Sequence, residues 1–347
     1  MGGTPYAGRV TDWPKVRLHV VTGKGGTGKS TVAAALALAL ASSGRNVLLC
    51  EVEGRQGIAR MFDVDPLPYE ERRIAKGAPD ATGRAGQVNA LHIDPESALL
   101  EYLAMYYKLG RAGKALDRFG VIDFATTIAP GVRDVLLTGK VYEAVQRPRR
   151  SDQGGRRGGV ITYDAVVLDA PPTGRICQFL GVNSELAGLA RVGPIKGQAD
   201  KVMELLRSSR TAVHVVTILE EMPVQETSDA IAELRSAGLP VGGVVVNLVR
   251  PRALGAHALA LVRDDAVDLT AITADLERAK VDVDAALVTS LIDEARDHAV
   301  RRQLEDDQRV LVAAEHLPTY ELPRLASGID RGALIDLALM LRDQAMA

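Results

Sequence analysis

Gly23-Lys24-Gly25-Gly26-Thr27-Gly28-Lys29-Ser30 follows the apolar run Arg17 to Thr22 and leads into Thr31 to Ala41, a stretch made almost wholly of alanine, leucine and valine. The octet fits G-x-x-x-x-G-K-[ST], and a strand before it with a helix after it is the context that motif requires. The glycines let the backbone turn tightly and aim its N–H groups at phosphate oxygens, while the helix N-terminus adds partial positive charge. In such a loop Lys29 neutralises the terminal phosphates and the Ser30 hydroxyl completes the coordination of Mg²⁺. Lys24 is a second lysine that an ordinary phosphate loop does not need. It is either a solvated loop residue or a group with another task.

Outward from that loop, short Val/Leu/Ile-rich runs alternate with longer Ala/Leu-rich segments. The runs are Arg17 to Thr22, Asn46 to Val52, Ala90 to Ile93, Ala165 to Leu168, Ala212 to Ile218 and Val241 to Val246. Most are apolar throughout, as strands covered on both faces are. The pattern predicts a single α/β domain over 1–347, a doubly wound, mainly parallel sheet of the P-loop NTPase type. Residues 96–146, 181–210 and 255–308 carry helical periodicity with no strand between, and are expected to be helical insertions forming a subdomain. Asp94-Pro95-Glu96 starts a helix whose stripe Leu99, Leu103, Tyr106 and Tyr107 faces either its own core or a groove. Residues 147–160, rich in arginine and glycine, read as a mobile surface loop, with a basic patch for an acidic partner as the alternative.

The balance of 42 basic and 44 acidic residues in 347 leaves no global positive field for a polyanion, so nucleic acid is not an expected partner. Val32 to Ala41, the longest apolar run, is about half of a bilayer span. With no apolar stretch of signal-peptide length among the first residues, a cytoplasmic location is the expectation. Cys50 and Cys177 form no CxxC pair, and both read as buried small apolar residues. His19, His92, His214, His257, His298 and His316 show no metal spacing and read as packing or surface residues.

The loop GKGGTGKST, with its extra Lys24, resembles the deviant phosphate loop of the dimeric ATPases that include cell-division positioning, partition and nitrogenase-iron proteins. Asp169-Ala-Pro-Pro-Thr-Gly-Arg-Ile-Cys-Gln-Phe-Leu180 narrows the resemblance to the arsenite-pump and tail-anchored-protein-targeting ATPases (ArsA-like), where this second switch usually reads Asp-Thr-Ala-Pro-Thr-Gly-His. Further similarities follow in order: Ile93-Asp94-Pro95, Pro130-Gly131, Glu226-Thr227, Asn247 at a strand end, and Leu317-Pro318.

That resemblance implies an ATP- and Mg²⁺-dependent dimer, a homodimer or a pair with a paralogue, in which two subunits enclose two nucleotides and Lys24 reaches the partner's phosphates. It implies nucleotide contacts from Gly23, Gly25, Gly26, Thr27, Gly28, Lys29, Ser30, Thr31, Asn247 and Pro318, with Asn247 at the adenine. Lys24, Lys29, Glu53 and Asp169 become the catalytic set, and Ser30 and Asp169 the Mg²⁺ set, partly through water. It further implies a hydrophobic protein client or a transient membrane-protein partner. Asp169 ends a strand, where a carboxylate holds Mg²⁺, and Gly174 frees the segment after it.

The first switch departs from the family pattern. Where the family has Asp-Pro-Ala-His, this chain has Glu53-Gly54-Arg55-Gln56. The carboxylate arm is one methylene longer, and a positioning group misplaced by about 1 Å costs on the order of 100-fold in rate. Slow or conditional hydrolysis is expected, or else a weakly active regulatory subunit that needs a paralogous partner chain, or a surface role for Glu53. No CxxC supports a zinc-bridged dimer, and two separate cysteines do not support metalloid binding. A metabolic kinase or ligase would need an acceptor site, and none is evident.

Overall fold

The structure, a computed structural model, describes residues 11–52, 56–79, 83, 85–107, 130–148, 162–181, 194–326 and 328–347. Eight strands form one sheet: β1 (Leu18–Gly23), β2 (Asn46–Glu51), β3 (Arg72–Lys76), β4 (Gln87–His92), β5 (Ala165–Asp169), β6 (Thr211–Thr217), β7 (Val241–Val249) and β8 (Thr319–Pro323). Their order across the sheet is β3-β4-β2-β5-β1-β6-β7-β8. All pairings are parallel except β3 with β4. The expected α/β doubly wound class therefore holds. β1 lies where the strand order turns from one half of the sheet to the other, and open α/β sheets bind ligands outside the carboxyl ends of their strands at such a point.

Both sheet faces are covered, which is why the strands read as continuous apolar runs. Leu18, Val20, Leu48, Cys50, Val166, Leu168, Val213 and Val215 point into one buried layer, and Val21, Val47, Leu49, Val167, Val216 and Val245 into the other. The second layer holds α1 (Lys29–Ser42), α2 (Gly57–Met61) and the C-terminal α11 (Arg331–Asp343). Every residue of α1 from Val32 to Ser42 is buried. A helix apolar all round belongs between two layers, and α1 lies between the sheet and Leu334, Leu337 and Leu341 of α11.

The opposite layer holds α3 (Pro95–Tyr107), α4 (Pro130–Gln146), α5 (Thr173–Phe179), α6 (Pro194–Leu206), α7 (Glu221–Ser236) and the end of α10 (Ala285–Ala313). α8 (Ala256–Arg263) and α9 (Leu269–Arg278) pack on α10. The Asp94 carboxylate accepts from the Ser97 N–H at 2.8 Å, starting α3 as expected. Leu99 is buried in the core beside Leu136 and Leu137. The side chains of Leu103, Tyr106 and Tyr107 lie outside the described residues, as do 149–161 of the Arg/Gly segment and Glu53. Cys50 and Cys177 are free and buried. No helix among the described residues is long and apolar enough to cross a membrane.

Candidate nucleotide site

β1 ends at Gly23, and the chain turns through Lys24 to Gly28 into α1, so the N-terminus of α1 opens at the carboxyl edge of the sheet. Gly28 sits at φ +87, and a Cβ there would overlap Asn247 Nδ2. Only glycine meets both demands. The Gly25 and Gly26 Cα atoms face open space. Thr27 is buried, and its hydroxyl donates to the Lys24 carbonyl at 2.9 Å. Asn247, also buried, donates from Nδ2 to the Thr27 carbonyl at 2.9 Å, tying the end of β7 to the loop. The loop is thus braced from within, where the Thr27 N–H also donates to the Lys24 carbonyl at 3.3 Å, and from β7. The first turn of α1 has no acidic residue to compete for that end.

Ser30 Oγ donates to Asp169 Oδ2 at 2.5 Å, joining the start of α1 to the end of β5. A hydroxyl and a carboxylate in contact at the loop are the hard oxygen donors that Mg²⁺ takes, so these residues fit the ion. Thr31 Oγ1 faces Met61 Sδ at 3.7 Å, turned toward α2. Lys29 is half-buried and makes no ion pair among the described residues, leaving its charge for a ligand. Thr22 Oγ1 donates to the Pro171 carbonyl at 2.7 Å, so β1 holds the segment after Asp169.

Lys24 Nζ lies 2.7 Å from Glu226 Oε1 on α7. Glu226 Oε2 also accepts from Thr173 Oγ1 at 3.5 Å, so one carboxylate touches both the loop lysine and the second-switch helix α5. Next on α5, Arg175 stands 4.0 Å from Asp134 of α4. Burial pushes the Asp134 carboxyl above its usual range, opposed by Arg175 and Arg133.

The structure brings together Gly23 to Thr31, Asp169 and Asn247. Pro318 is placed elsewhere: it precedes β8 and its carbonyl accepts from Val244 N–H near the start of β7, the sheet edge away from the loop. β8 runs parallel to β7, so the residue at the carboxyl edge is Pro323, paired in register with Val249. Leu317-Pro318 and Leu322-Pro323 are the same dipeptide five residues apart. Strand direction decides between them, and the Tyr320, Leu322 alternation is the signal that could have found it. Glu226 enters the sequence comparison as a similarity without a role. Arg250, Glu305 and Arg324, which gather beyond Asn247, carry no motif.

A strand-loop-helix phosphate cup facing a strand-end carboxylate, at the turning point of a parallel sheet, defines a P-loop nucleotide-binding protein. The anion-transporting ATPase family model matches residues 16–209. The chain is 48% identical to ATPase BagA of Mycobacterium tuberculosis over 347 residues, 99% of this chain and 98% of the relative. It is 24% identical to ATPase get3 of Neurospora crassa over 279 residues, 70% of this chain and 76% of that one. With ATPase GET3 of Kluyveromyces lactis it shares 26% over 262 residues, 65% of this chain and 70% of the relative. The chain belongs to the anion-transporting ATPase family.

Proposed function

We propose that the chain is a Mg²⁺-dependent ATPase whose nucleotide state switches the geometry of a dimer acting on a protein client. The observation that carries this reading is the Ser30–Asp169 contact of 2.5 Å at the mouth of the glycine loop, which pairs the two Mg²⁺-type oxygen donors beside the half-buried Lys29. Water attacks the γ-phosphorus in line; its oxygen forms the new P–O bond, the bond to the β–γ bridging oxygen breaks, and ADP and phosphate leave. Backbone N–H groups from Gly25 to Ser30 and the Lys29 ammonium hold the phosphate oxygens. Mg²⁺ at Ser30 and Asp169 would supply neutralisation of the β- and γ-oxygens. Glu53 orients the water, and Lys24 of a second subunit stabilises charge on the transferring phosphoryl group.

The client, a hydrophobic protein or a transient membrane-protein partner, is supported by the resemblance to tail-anchored-protein-targeting ATPases. A second reading, a weakly active subunit completed by a paralogous chain, is favoured by the Lys24–Glu226 pair, which keeps the lysine on its own subunit. Phosphate release by the purified chain, alone and with paralogues, separates the two: turnover alone supports the first. Calorimetry with MgATP tests the site itself. Lys29→Ala is expected to weaken binding by 100-fold or so, the loss of one charge-assisted contact of up to about 3 kcal/mol. Unchanged affinity would overturn the assignment.

A further inference from the structure

Past Asn247 the carboxyl edge of β6, β7 and β8 encloses a cavity of about 220 Å³, lined among others by Leu248 and Asn247 and by the charged Arg250, Arg324, Glu305 and the exposed Glu220. The sheet order places β6, β7 and β8 successively outward from β1 and its loop. Asn247 borders both, lining the cavity while its Nδ2 bonds the Thr27 carbonyl. A nucleotide with its phosphates in the loop would have this cavity within reach of its base, and any role of the cavity in base recognition rests on the proposed nucleotide site.

Two features of this cavity are unusual. Leu248 has φ +55 and is 41% exposed, where β7 slips register between Val246 and Val249. A leucine in the left-handed region is strained, and strain of this kind gathers at ligand sites. It leaves an apolar surface at the cavity against which a ring can lie. The second feature is Glu305, brought in by α10 and only 5% exposed, although glutamate is seldom buried. Its Oε1 accepts from Arg250 Nη1 at 3.1 Å and its Oε2 from Arg302 Nη1 at 2.9 Å. Arg302 is buried as well, and donates from Nη2 to Asp306 at 3.0 Å. The two arginines hold the carboxylate in one orientation, and each oxygen keeps a lone pair for a further donor.

We propose that Glu305 selects the base: its carboxylate accepts from the exocyclic 6-amino group of adenine and repels the 6-oxo oxygen of hypoxanthine or guanine, while Leu248 packs on the ring. A carboxylate has acceptors only, so with Glu305 facing the 6-position a 6-oxopurine brings acceptor against acceptor there, its N1–H donor lying beside that position rather than at it.

The test compares ADP with IDP, which differ at the 6-position and N1, and adds pyrophosphate as a probe of the phosphate loop alone. By calorimetry, the wild-type chain is expected to prefer ADP by about 10- to 100-fold, the span of one hydrogen bond to a charged acceptor. Glu305→Gln, whose amide both donates and accepts, is expected to reduce that ratio to about threefold or less with pyrophosphate affinity unchanged, while its melting temperature falls because the buried Arg302 loses countercharge. If Glu305→Gln does not fold, Glu305→Asp withdraws the acceptor by a methylene and carries the same expectation. Equal affinities in the wild type, or a ratio that survives both variants, overturns the proposal. Failure of pyrophosphate to bind the wild type overturns the phosphate-loop reading instead.

Discussion

Lys24 holds its ammonium 2.7 Å from Glu226 of its own chain, with the two side chains 29% and 37% exposed. An ion pair so open to water contributes at most about 1 kcal/mol, so in the proposed dimer the phosphates held by a partner would outcompete it. In the proposed dimer the pair opposes closure of the two subunits, because the bond must break before the lysine can reach across. Glu226→Gln removes that opposition. In a series of ATP hydrolysis rates against protein concentration, the variant is expected to reach half-maximal turnover at a several-fold lower concentration, about fivefold at the upper bound of the pair's energy. An unchanged or higher half-maximal concentration would mean that Glu226 does not restrain the lysine.

Between elements, the most exacting contact joins β1 to β6. The His19 and His214 rings stack with centroids 5.3 Å apart, both fully buried, and Trp13 meets His214 edge-on. His214 Nδ1 accepts from Gly243 N–H at 3.1 Å, so its proton sits on Nε2 and is donated to His19 Nδ1, also at 3.1 Å. Burial lowers His214 to about 3, and burial, then His214 and Arg45, lower His19 well below its ordinary value. Both rings are neutral when folded but take up protons near pH 6.5 when unfolded. Stability is therefore flat above that pH and falls as pH drops below it, continuing until His214 protonates near 3. Chemical denaturation is expected to register a loss of about 3 kcal/mol between pH 7.5 and 5.5 for the pair, about half of it removed in His214→Asn. Equal stability at both pH values would show that the rings do not titrate in this way.

Elements also show how far the chain can be read in advance. β1, β2, β4, β5, β6 and β7 announce themselves because strands buried on both faces need uninterrupted valine and leucine. β3 escapes such a reading because Arg72-Arg73-Ile74-Ala75-Lys76 is an edge strand, where charges guard the open side. β8, the opposite edge, hides in the alternation Thr319-Tyr320-Glu321-Leu322-Pro323. Without its direction, Pro318 and Pro323 cannot be told apart as the residue beside the site. Gly242 and Gly243, odd inside a strand, make sense only once His214 and Tyr320 are in view, since a Cβ on either would overlap their rings. The phosphate loop is legible because contiguous backbone builds it. Glu305 is not, because α10 returns it to the sheet from far along the chain.

At the scale of the whole molecule, the loop, the segment after Asp169 and the cavity beyond Asn247 share one edge of one sheet, and Glu226 and Asn247 fasten them to one another. In the proposed switch, nucleotide content would be felt along this entire edge, and a second subunit facing it would meet Lys24, α5 and α7 together. In the proposed dimer each site takes Ser30 and Asp169 from one chain and Lys24 from another. Mixing two variants separates this arrangement from a site built within one chain. Lys24→Ala and Asp169→Asn are each expected to lower turnover by about 1,000-fold, the effect of losing a charge at the transferring phosphoryl group. Mixed in equal amounts, they should recover about a quarter of wild-type turnover, since half of random pairs are mixed and each holds one complete site. A mixture as inactive as its components would refute the shared site and place Lys24 in the site of its own chain.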